Sequence, residues 1–467
     1  RALELYEGLL RDDPGNFELR RRRADFSISL GILHDALGQR QQALDAFGRA
    51  QTQFEELLRE RPDDLGLEND LATTHNNAGT VYAVTNRPEQ ALKSFEKARD
   101  IQQRLVAARP GDPDFRMKLA SSFNNIGMVL MKNGRPADGL GPLCEGGKLR
   151  DGLVNRYPNN PTYASLLAES LRNVGDCRRM MGRLDNSLRD LKRGHDILEK
   201  LVRAQGHVTQ YRNQLGASHI NIGLTHLAAK DADAALKSFT AASKIYDELS
   251  RKHPGVPYFR SELGRAYFHA GRAHERQKRE DLALAAYEQA RDTEAELVKA
   301  HPEHPDYRDQ FSLTLHNLGV MQDHLGRLED ARATVAEAVA QGRQALAAAP
   351  QDGRYRRRLA SHYVTLAILE RRLGRLDAAA AAAEGRMKLY PADAGDLFYD
   401  TARDLAMTAA AAQGAARERY AGRAVAALRR AVAAGFRNAE RARNDNALDV
   451  LRQREDFRKL LQEVGAK

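Results

Sequence analysis

Apolar and small residues in this chain fall at helical spacing, and the spacing itself repeats. In the stretch Leu71–Pro110, residues Leu71, Ala72, His75, Ala78 and Gly79 share one face of a helix. Ala91, Phe95 and Ala98 do the same for a second helix, and Asn86-Arg87-Pro88 breaks the pattern between them. The arrangement returns every 48 residues: Gly79 recurs as Gly31, Gly127, Gly175, Gly223, Gly271 and Gly319, with Ala367 in the eighth copy. Phe95 recurs as Phe47, Leu143, Leu191, Phe239, Tyr287 and Val335, so that position stays apolar while its size varies. Small residues at Gly79 and Ala91 let two helix backbones approach, with Phe95 filling the gap further along.

The punctuation agrees with paired helices. A mid-unit turn reads Gly-Arg at 134–135, 182–183, 326–327, 374–375 and 422–423, where glycine supplies a left-handed cap. Proline closes the unit at 14, 62, 110, 158, 254, 302 and 350, because it cannot continue a helix. A fixed period of this kind is the mark of a repeat array. The second helix of the third copy is the exception. Its Gly139, Gly141, Pro142, Gly146 and Gly147 predict a kinked or weak helix, which would make it either a decayed copy or a joint.

Asn77-Ala78-Gly79 with Tyr82, Ala91, Phe95 and Ala98 resembles the tetratricopeptide repeat. The departure is length. Ala91 to Pro110 spans 19 residues, about seven more than that family's pattern, which is close to two helical turns. Ala379 to Pro391, at 12 residues, keeps the ordinary length. The resemblance implies an all-α, right-handed superhelical solenoid of antiparallel helix pairs with a lengthened second helix. The expected organisation is the end of a truncated repeat at 1–14, eight hairpins over 15–398, an irregular ninth hairpin over 399–434 and a C-terminal helical cap over 435–467. The tail residues Asp445, Leu448, Leu451-Arg452, Phe457 and Leu460 are also similar to the closing segment of arrays attached to planctomycete-type bacterial serine/threonine protein kinases. That likeness implies a regulatory or substrate-recruiting region that follows a kinase domain, with fusion to another catalytic domain as the alternative.

Composition changes this picture little. The formal charge of +10 fits solvated arginine and lysine faces on long helices, densest at Arg20–Arg23 and Arg356–Arg358. No aromatic platform interleaves with those clusters, so nucleic acid is not an expected partner. No run of 18 apolar residues occurs, so no membrane span is expected within the chain. A cytoplasmic location is expected, or an extracytoplasmic one if a membrane helix precedes the array. Cys144 and Cys177 fall on repeat helices and read as reduced thiols.

No catalytic constellation emerges. Arg189-Asp190-Leu191-Lys192 has Leu188 where a kinase catalytic loop needs histidine, and Arg403-Asp404-Leu405 follows Ala402. His34, His226 and His274 recur at one position, but helices about 10 Å apart cannot share an ion that needs bonds of about 2 Å. Catalytic residues, cofactors and metals are therefore not expected. What remains is surface. In the tetratricopeptide family the first helices line a concave groove, and the matching positions here are Asn76, Thr80, Asn124, Met128, Arg172, Asp176, Arg272, Arg276, His316 and His324. Their mixed character suits a protein or peptide partner, with self-association as the alternative. Asn77, Asn125, Asn173, Asn221 and Asn317 sit one position further round, as bonds between helices or as ligand contacts.

Overall fold

The computed structural model describes residues 2–465, and they divide into two compact units, one through Ile245 and one from Tyr246. In the first, α1 (Ala2–Asp12) precedes the hairpins α2–α3 (Phe17–Ala36, Arg40–Glu60), α4–α5 (Leu65–Val84, Pro88–Ala108), α6–α7 (Pro113–Lys132, Pro136–Arg156) and α8–α9 (Pro161–Met180, Leu184–Ala204), then α10 (Thr209–Ala228). The division falls within α11 (Ala232–Lys252). The second unit holds α12–α13 (Pro257–Arg276, Glu280–Ala300), α14–α15 (Pro305–His324, Leu328–Ala348), α16–α17 (Gly353–Arg372, Leu376–Met387) and α18–α19 (Gly395–Ala410, Gly414–Ala433). Short α20 (Ala439–Asn444), a 3-10 turn (Asn446–Leu451) and α21 (Glu455–Gly465) follow. All regular structure among the described residues is helical.

The lengthened second helix is real. Helices α3, α5, α7, α9, α11, α13 and α15 each run 21 residues, whereas α17 has 12. Each first helix is joined to its partner by a residue in the left-handed region. Glycine holds that place at Gly38, Gly134, Gly182, Gly326 and Gly374, and Asn86, Lys230 and Lys278 hold it elsewhere at φ of 58°, 64° and 58°. Several first helices open on an Asx cap: Asn16, Asp64, Asp112, Asn160 and Asp352 each accept a backbone N–H of the first turn.

The glycine column has a sharper cause than close helix approach alone. The Phe95 ring lies directly on Gly79 and not further along. A Cβ on Gly79 would stand 2.7 Å from Phe95 Cε1, and one on Gly31 or Gly223 would stand 2.5 or 2.6 Å from Phe47 or Phe239. Each such ring is buried. In the eighth copy both partners change, and buried Ala367 and Ala383 occupy these positions. The next first helix covers the other side, where Ala91 and Phe95 pack with Ile126, Val129 and Leu130.

Two expectations need correction. Helix α7 is one unbroken helix through Pro142. Its glycines serve contact: a Cβ on Gly139 would lie 2.7 Å from the Gly127 carbonyl oxygen, and one on Gly146 would lie 2.8 Å from that of Ala120. Gly422-Arg423 is not a turn but lies inside α19, and the turn of this hairpin falls earlier, before Gly414 at φ 53°.

First helices of successive repeats are also joined by polar bonds at a constant offset of 49 residues. Lys118 donates to Asn69 at 2.9 Å, Asn125 to Asn76 at 3.1 Å, Asn173 to Asn124 at 2.8 Å and Tyr355 to Asp306 at 2.7 Å. Arg358 pairs with Asp309 and Arg372 with Asp323 in the same way. At the C-terminal end, Leu448, Leu451, Phe457 and Leu460 bury themselves with Phe398, Tyr399, Tyr420 and Leu428. Tyr399 stacks on Phe436 with centroids 4.4 Å apart and donates to Asp445 at 2.8 Å.

Candidate functional site

The ten groove positions split between the two units, and the structure gives them different tasks. In the first unit, Asn76 and Asn124 are half-buried and committed to neighbours. The Asn76 side-chain oxygen accepts from Asn125 at 3.1 Å and Ser122 at 3.4 Å. Asn124 accepts from Asn173, whose own oxygen accepts from Arg172 at 3.4 Å. Asn125 and Asn173 therefore bond helix to helix, while Asn317 donates to Leu313 within its own helix. Thr80 is exposed, but its hydroxyl donates to the Asn76 carbonyl at 3.1 Å. Asp176 pairs with Arg179, and Met128 packs beside the cluster of Met131, Leu143, Val174 and Cys177.

In the second unit, His316 is half-buried, with its centroid 4.8 Å from that of His362. Burial holds His316 below the usual imidazole range and pushes His362 down to about 3, with His316 and Arg358 adding to the effect. Two neutral imidazoles result, and His362 Nε2 meets the Ser312 hydroxyl at 3.2 Å. No group of three or more His, Cys, Asp or Glu among the described residues is placed to hold a metal ion. His324 is exposed.

Arg272 and Arg276 differ from the rest. They stand one turn apart on α12, half-buried and exposed, and neither makes a hydrogen bond or ion pair with a described residue. The contrast is with the denser basic clusters. Arg20 binds Glu60 at 2.5 Å, Arg21 lies 3.6 Å from Asp70, and Arg22 binds Glu18 at 3.1 Å. Arg358 pairs with Asp309 and Arg356 donates to the Pro350 carbonyl. Several arginines of the dense clusters are thus paired, whereas Arg272 and Arg276 lie outside those clusters. At the register of Arg272 the next two first helices carry half-buried Val320 and exposed Ile368.

The aspartates of the two kinase-like tripeptides are structural. Asp190 pairs with Arg178 across α8 and α9, and Asp404 is buried 2.7 Å from Arg386. Sequence reasoning missed Glu294. This residue is fully buried on α13, with no cationic partner among the described residues and only the Thr314 and Gln310 side chains beside its carboxyl. Burial pushes its carboxyl up to about 7. The only sequence signal was a glutamate at a core register position.

Comparison with known proteins agrees with the local geometry. A profile of the tetratricopeptide repeat matches residues 264–290, most of the α12–α13 hairpin. The helix pairs are tetratricopeptide-like. No curated protein sequence matches the chain. Parts of the chain are similar to several solved structures at low identity. BtubC (BKLC) from P. vanneervenii is 15% identical over 57% of this chain and 93% of its own, with a TM-score of 0.43. The STAND protein PH0952 from Pyrococcus horikoshii, which has a tetratricopeptide repeat sensor, is 15% identical over 83% of this chain and 52% of its own, at 0.48. YrrB, a TPR protein with an unusual peptide-binding site, is 19% identical over 52% of this chain and 93% of its own, at 0.30. Likeness at this level says nothing of partner or activity. No helix among the described residues is long and apolar enough to cross a membrane.

Proposed function

We propose that this chain is a non-catalytic scaffold that binds peptide or helical segments of other proteins through its first-helix surfaces, with an acidic segment docking on α12. The carrying observation is the pair Arg272 and Arg276, two guanidinium groups without an acidic partner on the hairpin that matches the tetratricopeptide profile. A guanidinium fork binds carboxylates in bidentate fashion, and Val320 and Ile368 offer apolar contact for the flanking residues of a ligand. The groove positions of the first unit support binding less, because Asn76 and Asn124 already bond to neighbouring repeats and Thr80, Arg172 and Asp176 bond within their own helices. The test is a peptide array probed with the wild type and with R272E/R276E. Selective binding of acidic peptides should vanish in the double variant, whose folding should be unaffected. Equal binding by both proteins would refute the reading.

The finer proposal is that the scaffold is the regulatory or substrate-recruiting region of a bacterial serine/threonine protein kinase. Its support is the resemblance of the lengthened repeats and of the tail around Asp445, Leu448, Phe457 and Leu460. Sequence upstream of Arg1 in the source genome decides it, and a different catalytic domain there would replace it.

A further inference from the structure

Helices α3, α4 and α5 enclose a small pocket that the peptide-binding reading does not use. Leu44, Gly48 and Gln51 line it from α3, His75, Ala78 and Tyr82 from α4, and Lys93, Ser94 and Lys97 from α5, around a volume of about 110 Å³. His75 forms part of the wall and is 4% exposed. Its ring has no hydrogen bond to any described residue. Lys93 and Lys97 are exposed, one turn apart, and neither has an acidic partner. No carboxylate lines the pocket.

We propose that this pocket binds a small tetrahedral oxyanion, namely inorganic phosphate or the phosphoryl group of a monoester. The donor set is the first reason. Two ammonium groups, the hydroxyls of Ser94 and Tyr82, the Gln51 amide and one imidazole N–H supply donors to a ligand that only accepts. Size is the second. The volume leaves room for one phosphoryl group and lies well below the ~300 Å³ at which sites for larger organic ligands begin. The third reason is that the site is peculiar to this repeat. At the register of Gly48 the following copies carry Glu96, Cys144, Lys192, Thr240 and Glu288, and only glycine leaves that wall without a side chain. In the third copy Gly141 and Glu145 stand where Lys93 and Lys97 stand. In the fifth copy His219 and Lys237 return, but His195 replaces Gln51 and packs edge-on against His219 at 4.5 Å.

The imidazole reports occupancy. Burial, reinforced by the Lys97 ammonium, holds His75 neutral, its pKa pushed down to about 4. An oxyanion in the pocket would offset Lys97 and favour the imidazolium, so by linkage it raises the His75 pKa. The experiment uses the full chain labelled with ¹⁵N-histidine, at constant ionic strength, titrated with inorganic phosphate and separately with phenyl phosphate. Saturable movement of the His75 resonances with either probe, while those of His362 stay fixed, is the expected result. Response to both probes assigns the pocket to a phosphoryl group on a larger molecule, and response to inorganic phosphate alone assigns it to the free ion. K93A/K97A alters two exposed side chains and should weaken binding at least tenfold without changing the melting temperature. Absence of saturation, an equal response to chloride, or full affinity in K93A/K97A would each overturn the assignment.

Discussion

The pairing of Gly79 with Phe95 allows a test in which one substitution should change sign with its background. Placing a methyl on Gly79 puts it 2.7, 2.8 and 3.0 Å from three Phe95 ring carbons, where ordinary contact begins near 3.4 Å. The ring is 2% exposed and held on its other side by Ile126, Val129 and Leu130, so it cannot swing out of the way. Overpacking of this kind costs about 1–3 kcal/mol, offset by about 1 kcal/mol from replacing glycine with alanine inside a helix. G79A alone should therefore destabilise by roughly 0–2 kcal/mol. F95A alone removes the ring and should cost about 3–5 kcal/mol. In the F95A background the clash is gone while the helix-propensity gain remains, and the new methyl fills part of the void. There G79A should stabilise by about 1 kcal/mol, which gives a coupling of about 1–3 kcal/mol between the two sites. The double variant reproduces the Ala367 and Ala383 pair of the eighth copy. Chemical denaturation of the four proteins, with hydrogen exchange in α4 and α5 to localise the effect because repeats need not unfold together, measures the cycle. Equal effects of G79A in both backgrounds would show that Phe95 is not what requires the glycine.

Other outcomes follow from single positions. Lys278 occupies a left-handed conformation at φ 58° where five other hairpins of the array use glycine, so K278G should stabilise α12–α13 by about 1 kcal/mol in denaturant titration. Glu294 has a folded-state pKa raised above its unfolded value, to about 7. Its contribution is therefore fully present below about pH 4.5 and is lost as pH climbs through 7. E294Q should gain on the wild type by roughly 3 kcal/mol between pH 4 and pH 8, read as the difference in unfolding midpoints, and a gap that does not change with pH would refute the assignment. Asp404 is buried against Arg386, so D404A should destabilise the second unit by about 3 kcal/mol by leaving the buried Arg386 with only the longer contact to Asp400 at 4.0 Å, whereas D404A/R386M should recover most of the loss in the same melt.

The sequence was most legible where one residue type has a single physical use. Left-handed turns need glycine or a residue that tolerates positive φ, and all but one of the Gly-Arg signals fell at such turns. The exception, Gly422, shows the limit: a glycine within an alanine-rich run is equally compatible with helix, and the burial of Ala421, Ala424, Val425 and Leu428 keeps it there. Proline and glycine in α7 predicted weakness for the same reason, but α6 approaches closely enough that side chains at 139 and 146 would collide with its backbone. Packing thus outweighed propensity. Which polar groups stay free was the least legible property. Asn76 and Asn124 fell at groove-facing registers, yet each bonds to a partner 49 residues away, and only folded geometry reveals such a match.

By itself, the sequence determined the helical hairpin, its stride of 48 residues and the two extra turns of the second helix, because periodicity, turn residues and small-residue columns are local properties of the chain. Tertiary structure decided which charges are neutralised, which imidazoles and carboxyls lose contact with water, and where a cationic pocket opens beside His75. Those properties depend on distances between side chains from different helices, and on burial that a neighbouring helix either completes or leaves open.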